Sequence, residues 1–253
     1  EVYEARVATY AHPELPKPQI TMMPEQVSER QQLVTSKQFT VTDNYVQLQV
    51  EFPLKVISSA VHNAGMGWYN NFLNRSISPH YNIENVKQET VQFLSEQGFS
   101  LTNTVVMLTA VSTNLVAIRS FNHERFSITI AVTAGVGNAV DVTRTYERQD
   151  IPYIGTINTW VIVNGKLSDE AFYQAMITAT EAKTKALAEE EIRDVQTNTI
   201  ATGTATDSLL IAATQHGEEM PYAGPITDVG KLIGHGVFET TVEAIRKYKQ
   251  SKN

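Results

Sequence analysis

Lys183 stands where a charge is not expected. With about 100° of rotation per helical residue, Phe172, Met176, Ala179, Ala186 and Leu187 fall on one stripe, and Lys183 falls inside it. Glu181 projects to the opposite side. An ammonium on an apolar stripe either snorkels past the apolar layer or is buried beside a counter-charge. Asp207 is the obvious counter-charge. It lies in the Gly/Thr segment 201–208, on the loop that leads into a strand over residues 208–213. Lys, Asp, Glu, Asn and Thr gathered at strand ends and glycine loops suit hydrolysis of an amide in a metal-free site. A carboxylate activates water, a donor protonates the leaving amine, and further donors hold the tetrahedral oxyanion. Asp207 is the first candidate for general base, with Lys183 as its orienter or as the oxyanion stabiliser. Glu181 is the second candidate acid/base, and plain solvent exposure is an equal reading of its position. A threonine nucleophile competes, with Thr204 or Thr206 attacking and Lys183 as the base. Gly203-Thr204 and Gly155-Thr156 also read as self-cleavage sites that would expose an N-terminal threonine. For any single one of these threonines, a β-branched strand end is the simpler reading.

The elements that must carry these groups are legible in the same stretch. Residues 156–163 alternate and are β-branched, which predicts a half-buried strand closed by the turn pair Asn164-Gly165. Ser168 then caps a long helix, with Asp169 and Glu170 where the dipole favours carboxylates. Earlier in the chain, residues 1–35 hold Pro13, Pro16, Pro18 and Pro24 without a periodic apolar pattern, so they read as an extended N-terminal arm. Strands are expected over 39–41, 45–52 and 54–61, divided by Asp43-Asn44 and Pro53. Residues 63–67 read as a turn, 74–81 as a polar loop, and 85–96 as a helix stopped by Gly98. Four more strands follow over 104–111, 115–121, 126–133 and 140–146, with short connections suited to antiparallel neighbours. Thr227 or Asp228 caps a last helix reaching about Tyr248. Gly230, Gly234 and Gly236 in its first turns call for a backbone or a ligand packed very close. The sum is an α+β chain: one domain over 36–253 in layers, with a largely antiparallel sheet or sheets flanked by about three helices.

Three blocks in the second half carry a resemblance. They are TINTWVIVNGKLSDEAFYQAMITATEAKTKAL, ATGTATDSLLIAA and YAGPITDVGKLIGHGV. With LNRSISPHY, MLTAV and TAGVGNA upstream, the chain from about residue 39 to 248 resembles the adenosylcobinamide amidohydrolases of corrinoid salvage, the CbiZ family. The resemblance implies hydrolysis of the amide between the corrin ring's propionate and aminopropanol, yielding adenosylcobyric acid. The corrinoid is then the substrate, and no separate cofactor is implied. Asn74, Arg75 and His80 sit on one polar segment and taken alone suggest surface solvation; the resemblance raises them to candidate binding residues. Asn138 and Asn158 suit carboxamide recognition, although Asn at strand ends is commonly a turn former, as Asn164 is expected to be. Thr156, Thr204, Thr206 and Tyr222 complete the candidate substrate-binding set. Family members often carry a Thr-His pair after the glycine that corresponds to Gly224. Here Pro225-Ile226 stands instead, so either that histidine is dispensable or this chain departs from the family in substrate or rate.

Composition bounds the remaining classes. At 253 residues the chain can bury a substantial core, and 42% hydrophobic with 19% charged residues is ordinary for a globular protein. A net charge of −7 argues against a nucleic-acid partner, which would call for a basic face. Zero cysteines exclude thiolate nucleophiles and sulfur-ligated metals, and suit a reducing cytoplasm. No apolar run is long enough for a membrane helix, and Glu1-Val2-Tyr3-Glu4 lacks the basic start of a signal peptide. The six histidines show no metal-ligand spacing, so no metal site is expected. No G-x-S-x-G elbow, H-E-x-x-H pair or phosphate loop occurs. Whether the chain forms a homo-oligomer is left open.

Overall fold

Apolar, β-branched runs set the strands of this chain, and the connections between them set which run parallel. The structure, a computed structural model, describes residues 33–78, 85–146 and 155–252. Its centre is an eight-stranded mixed sheet. Strand β1 (Phe39–Val41) pairs antiparallel with β2 (Tyr45–Ser58), and β2 with β3 (Gly65–Ser76). Helix α1 (Val86–Glu96) then crosses over to β4 (Thr104–Thr109), which lies parallel to β3. Strands β5 (Ala117–Asn122) and β6 (Ser127–Ala134) form an antiparallel pair, and a short β7 (Ala139–Val140) follows. Strand β8 (Ile157–Asn164) pairs antiparallel with β6. After the short β9 (Lys166–Leu167), helix α2 (Asp169–Glu189) runs back along the sheet. The two-residue β10 (Gly203–Thr204) pairs with β7, and β11 (Ser208–Ala213) inserts between β2 and β8, parallel to β8. Finally β12 (Glu219–Met220) pairs with β9, and helix α3 (Asp228–Gln250) closes the fold. The eight-stranded sheet is largely antiparallel. Its two parallel pairs, β3–β4 and β8–β11, are those joined through α1 and α2, as a parallel crossover requires.

Three apolar clusters set the layers. One joins β6, β8 and β11 to α2 and α3 through Val161, Ile211, Phe172, Ile233 and Ile245. A second fills the opposite face of those strands and the facing side of β2 to β4, with Leu48, Phe72, Met107, Trp160 and Ile162 at its centre. The Trp160 ring on β8 lies 6.1 Å from Phe39 on β1 and 6.4 Å from Phe72 on β3, so the sheet curls until its two ends face each other. The third is small: Leu73 and Val106 meet Leu94 of α1 on the outer face. From one side to the other the layers are thus α2 with α3, the β11-β8-β6-β5 half, the β1-β2-β3-β4 half, and α1.

Several local details depart from the pattern read in the sequence. Pro53 does not divide two strands. The β2–β3 register shifts between Gln49 and Leu54, and a bulge tolerates proline because no ladder N–H is needed there. The segment expected to be a polar loop begins inside β3, so Asn74, Arg75 and Ser76 are strand residues. Of residues 140–146 only Val140 joins a ladder, as the second residue of β7. The Asp141 side chain accepts from the Thr143 N–H at 3.0 Å and starts a 3-10 turn, a local bond that competes with strand pairing. Asn164 is no plain turn residue. Its amide exchanges two 2.8 Å hydrogen bonds with the backbone of Val34, which is fully buried. Residues 33–35, assigned to the arm by composition, therefore belong to the compact unit, which runs Gln32–Asn253.

Candidate active site

Helix α2 brings Lys183 to the site by length alone. Its cap Ser168 accepts from the Ala171 N–H at 3.1 Å, just past the C-terminal end of β8. Fifteen residues later, a rise of about 22 Å has carried the helix back along β8 to its N-terminal end. There the Lys183 Nζ donates to Asp207 Oδ2, with 15% and 19% of the two side chains exposed. The second oxygen, Oδ1, accepts from the Ile157 N–H at 3.0 Å, the Thr204 N–H at 3.2 Å and the Thr204 hydroxyl at 2.5 Å. A carboxylate with both oxygens so engaged is an anchor: it fixes the ammonium, the β10 loop and the start of β8 together.

Two clefts meet at this pair. One, about 180 Å³, is lined by Thr156, Asn158, Thr206, Met107 and Ile77 as well as Asp207. The other, about 270 Å³ on the helix side, is lined by Lys183, Met176, Thr180 and Thr159. Ser59, Asp207 and Ser208 line both. The Ser59 and Ser208 hydroxyls stand 3.1 Å apart there. Neither serine was singled out from the sequence, because only the β2–β11 pairing brings residues so distant in the chain together. Gly203, read from the sequence as a glycine of the loop and as half of a candidate self-cleavage pair, also packs here. A Cβ at that position would lie 2.4 Å from Asp207 Oδ2 and 2.8 Å from Lys183 Nζ.

The polar floor of the first cleft is built from strand residues. Asn158 on β8 donates from Nδ2 to Asn74 Oδ1 at 2.7 Å and to the Leu108 carbonyl at 2.8 Å, and Asn74 donates to the Thr133 hydroxyl at 2.8 Å. Because the Leu108 carbonyl can only accept, the Asn158 amide is held in one orientation. Its Oδ1 is buried and without a partner among the described residues. Beside it, the Thr156 hydroxyl donates to the Thr206 carbonyl at 2.7 Å, and the Thr206 hydroxyl donates to the Gly155 carbonyl at 2.9 Å. Asn138 Nδ2 donates to the same Gly155 carbonyl at 3.1 Å.

A site made of a held lysine, threonine hydroxyls and carboxamides has the parts for acyl transfer, and relatives of the chain bear on that chemistry. The family described as adenosylcobinamide amidohydrolase (CbiZ) matches residues 30–253. The chain belongs to this family. It is 27% identical over 206 residues to an adenosylcobinamide amidohydrolase of Methanosarcina mazei, covering 80% of this chain and 94% of that protein. It is 29% identical over 188 residues to an uncharacterized protein of Methanocaldococcus jannaschii, covering 67% of this chain and 73% of that one. Among solved structures, a Pyrococcus horikoshii protein superposes with a TM-score of 0.47 at 10% identity, over 85% of this chain and 80% of that one.

Within this amidohydrolase, the candidates read from the sequence divide into two groups. Lys183, Asp207, Thr156, Asn158 and Thr206 line the clefts, Thr204 is bonded to Asp207, and Asn74 and Asn138 are bonded to Asn158 and to the Gly155 carbonyl. Arg75 does not reach this site: it forms a two-bond pair with Glu89 of α1, 2.6 Å for each bond, and stacks 3.9 Å above Phe93 on the outer face. Strand alternation puts neighbours Asn74 and Arg75 on opposite faces, which a loop reading could not anticipate. Glu181 is exposed and lines neither cleft. Tyr222, 46% exposed, follows Pro221, whose carbonyl accepts from Ser168 at the far end of α2. His80 lies outside the described residues. Among those residues, no three His, Asp or Glu side chains form a metal-holding group. No helix there is long and apolar enough to cross a membrane.

Proposed function

We propose that this amidohydrolase cleaves the amide joining the corrin-ring propionate of adenosylcobinamide to 1-amino-2-propanol, giving adenosylcobyric acid for corrinoid salvage. The observation that carries the reading is the Lys183–Asp207 pair standing where two clefts meet, inside the region matched by the family. The clefts, at about 180 and 270 Å³, admit an amide arm rather than a corrin ring, so the ring rests at the mouth and only the aminopropanol arm enters. Lys183 supplies a positive charge for the oxyanion, and Asp207 holds that charge in place. The attacking oxygen is a water or a threonine hydroxyl of the cleft. Asn158 Oδ1 offers an acceptor to an N–H of the substrate. The corrinoid is the substrate, and the proposal requires no further cofactor. A cytoplasmic reaction is part of the same proposal, since a chain without cysteine suits a reducing compartment.

The test is incubation of the purified protein with adenosylcobinamide, with and without a chelator, with products identified by chromatography and mass. Adenosylcobyric acid formed in both arms supports the proposal. A shifted corrinoid spectrum without product would make the chain a binding protein, and turnover of small amides but not of adenosylcobinamide would assign another substrate. Asp207→Asn is expected to lower the rate by about 10²-fold or more, because the lysine loses its anchor, with circular dichroism unchanged.

A further inference from the structure

The Gly155–Thr156 peptide bond is surrounded in a way that substrate binding alone does not explain. The Gly155 carbonyl oxygen accepts from two side chains at once, the Thr206 hydroxyl at 2.9 Å and Asn138 Nδ2 at 3.1 Å. Two fixed donors on one carbonyl are what an amide needs when its oxygen must take on negative charge. The next residue supplies a hydroxyl, that of Thr156, which is 1% exposed and lines the first cleft. Residue 155 is held to glycine: a Cβ there would lie 2.1 Å from Asn138 Oδ1 and 2.9 Å from the Gly135 carbonyl oxygen. One residue further on, the Ile157 N–H donates to Asp207 Oδ1, so the start of β8 is pinned. In the other Gly-Thr pair the Thr204 hydroxyl donates to the Asp207 carboxylate at 2.5 Å, whereas the Thr156 hydroxyl donates at 2.7 Å to the neutral Thr206 carbonyl, a weaker hold on its proton.

The geometry points to self-cleavage of the Gly155–Thr156 bond, which leaves Thr156 as a new N-terminal residue in the active-site cleft. In the first step the Thr156 hydroxyl oxygen adds to the Gly155 carbonyl carbon. The C–N bond breaks and the hydroxyl proton passes to the Thr156 nitrogen, so the amide becomes an ester and a free amine. One water then hydrolyses the ester. Gly155 leaves as a carboxylate, Thr156 recovers its hydroxyl, and the released proton goes to the new α-amine. That amine sits beside the hydroxyl of its own residue and can serve as its base once neutral, the arrangement by which an N-terminal threonine becomes a nucleophile. This last role rests on the clefts being the hydrolase site; the cleavage itself does not.

The experiment is intact-mass and N-terminal analysis of the purified full chain over a time course. The expected result is a fragment beginning at Thr156 and a complement ending at Gly155, which co-elute because β8 lies inside the sheet. Thr156→Ser keeps cleavage. Thr156→Val, close in shape but without the hydroxyl, abolishes it at unchanged circular dichroism. Asn138→Ala and Thr206→Val each slow it about a hundredfold. A wild-type chain that stays intact throughout, or a Thr156→Val chain cut at the same bond, overturns the inference. An intact chain that still converts adenosylcobinamide overturns the processing and leaves the proposed function standing. A cleaved chain without corrinoid turnover does the reverse.

Discussion

The contact between Lys183 and Asp207 exists because residue 203 has no side chain. A Cβ at Gly203 would press on the end of each side chain, and both ends can swing away. Gly203→Ala is therefore expected to displace the pair without unfolding the protein. The rate of adenosylcobinamide hydrolysis should fall on the order of 10²-fold, as for a misplacement of about 1 Å, while Tm moves little. Equal losses in rate and Tm would show that the glycine serves folding instead. Lys183 and its partner were legible from the chain because the helical period alone puts a lysine among Phe172, Met176 and Ala179. Arg75 by its neighbours suggested surface solvation, and the resemblance raised it to a binding candidate; it pairs instead with Glu89. Whether it faces the cleft or Glu89 depends on its strand, and β3 shows little apolar alternation near its end.

Among the elements, α3 is placed by a backbone contact. The glycines near its start called for either a second backbone or a ligand, and at Gly230 the neighbour is backbone. A Cβ there would fall 1.8 Å from the Gly224 carbonyl oxygen. Gly230→Ala is expected to destabilise by roughly 3 kcal/mol, read as a fall of about 6–12 °C in Tm. Gly234, one helical turn on, is the control: its Cβ would meet only Thr178 Cγ2, at 3.7 Å. Gly234→Ala should leave Tm unchanged or raise it, because alanine is the better helix former by about 1 kcal/mol. A destabilisation at 234 as large as at 230 would mean that helix flexibility, not contact, sets the requirement.

For the molecule as a whole, acid should loosen the ties between loops and helices. Glu190, just past α2, is pushed up by burial, but hydrogen bonds and charges from Lys249 and Arg246 of α3 outweigh this and hold its carboxyl below the usual value. Asp141 is likewise held down, by the Thr143 and Thr199 hydroxyls and the Thr143 N–H. A carboxyl lowered in the folded state binds its proton more readily in the unfolded chain. The stability it contributes is complete above the unfolded value near 4 and is lost as pH falls through the folded value. Stability followed by urea melts should therefore drop as pH falls from 5 towards 2, and Glu190→Gln with Asp141→Asn should flatten that slope. An unchanged slope would place acid sensitivity in other carboxyls.

Local chemistry in the chain specified the three helices of the described residues, the Ser168 cap, a cap at Thr227 or Asp228 that the structure places at Thr227, and the largely antiparallel α+β layering, since each depends on period, capping or turn residues close in sequence. The family blocks added the amidohydrolase assignment. Tertiary structure settled what depends on distant neighbours. The curl that faces Trp160 against Phe72 sets which strand face lines a cleft, the β2–β11 pairing joins Ser59 to Ser208, and the α2 length returns Lys183 to Asp207. The docking of Val34 against Asn164 is of the same kind, for it spans 130 residues of chain. Side-chain direction at a strand end and contact across a curled sheet are properties of register and packing, and no window of sequence contains them.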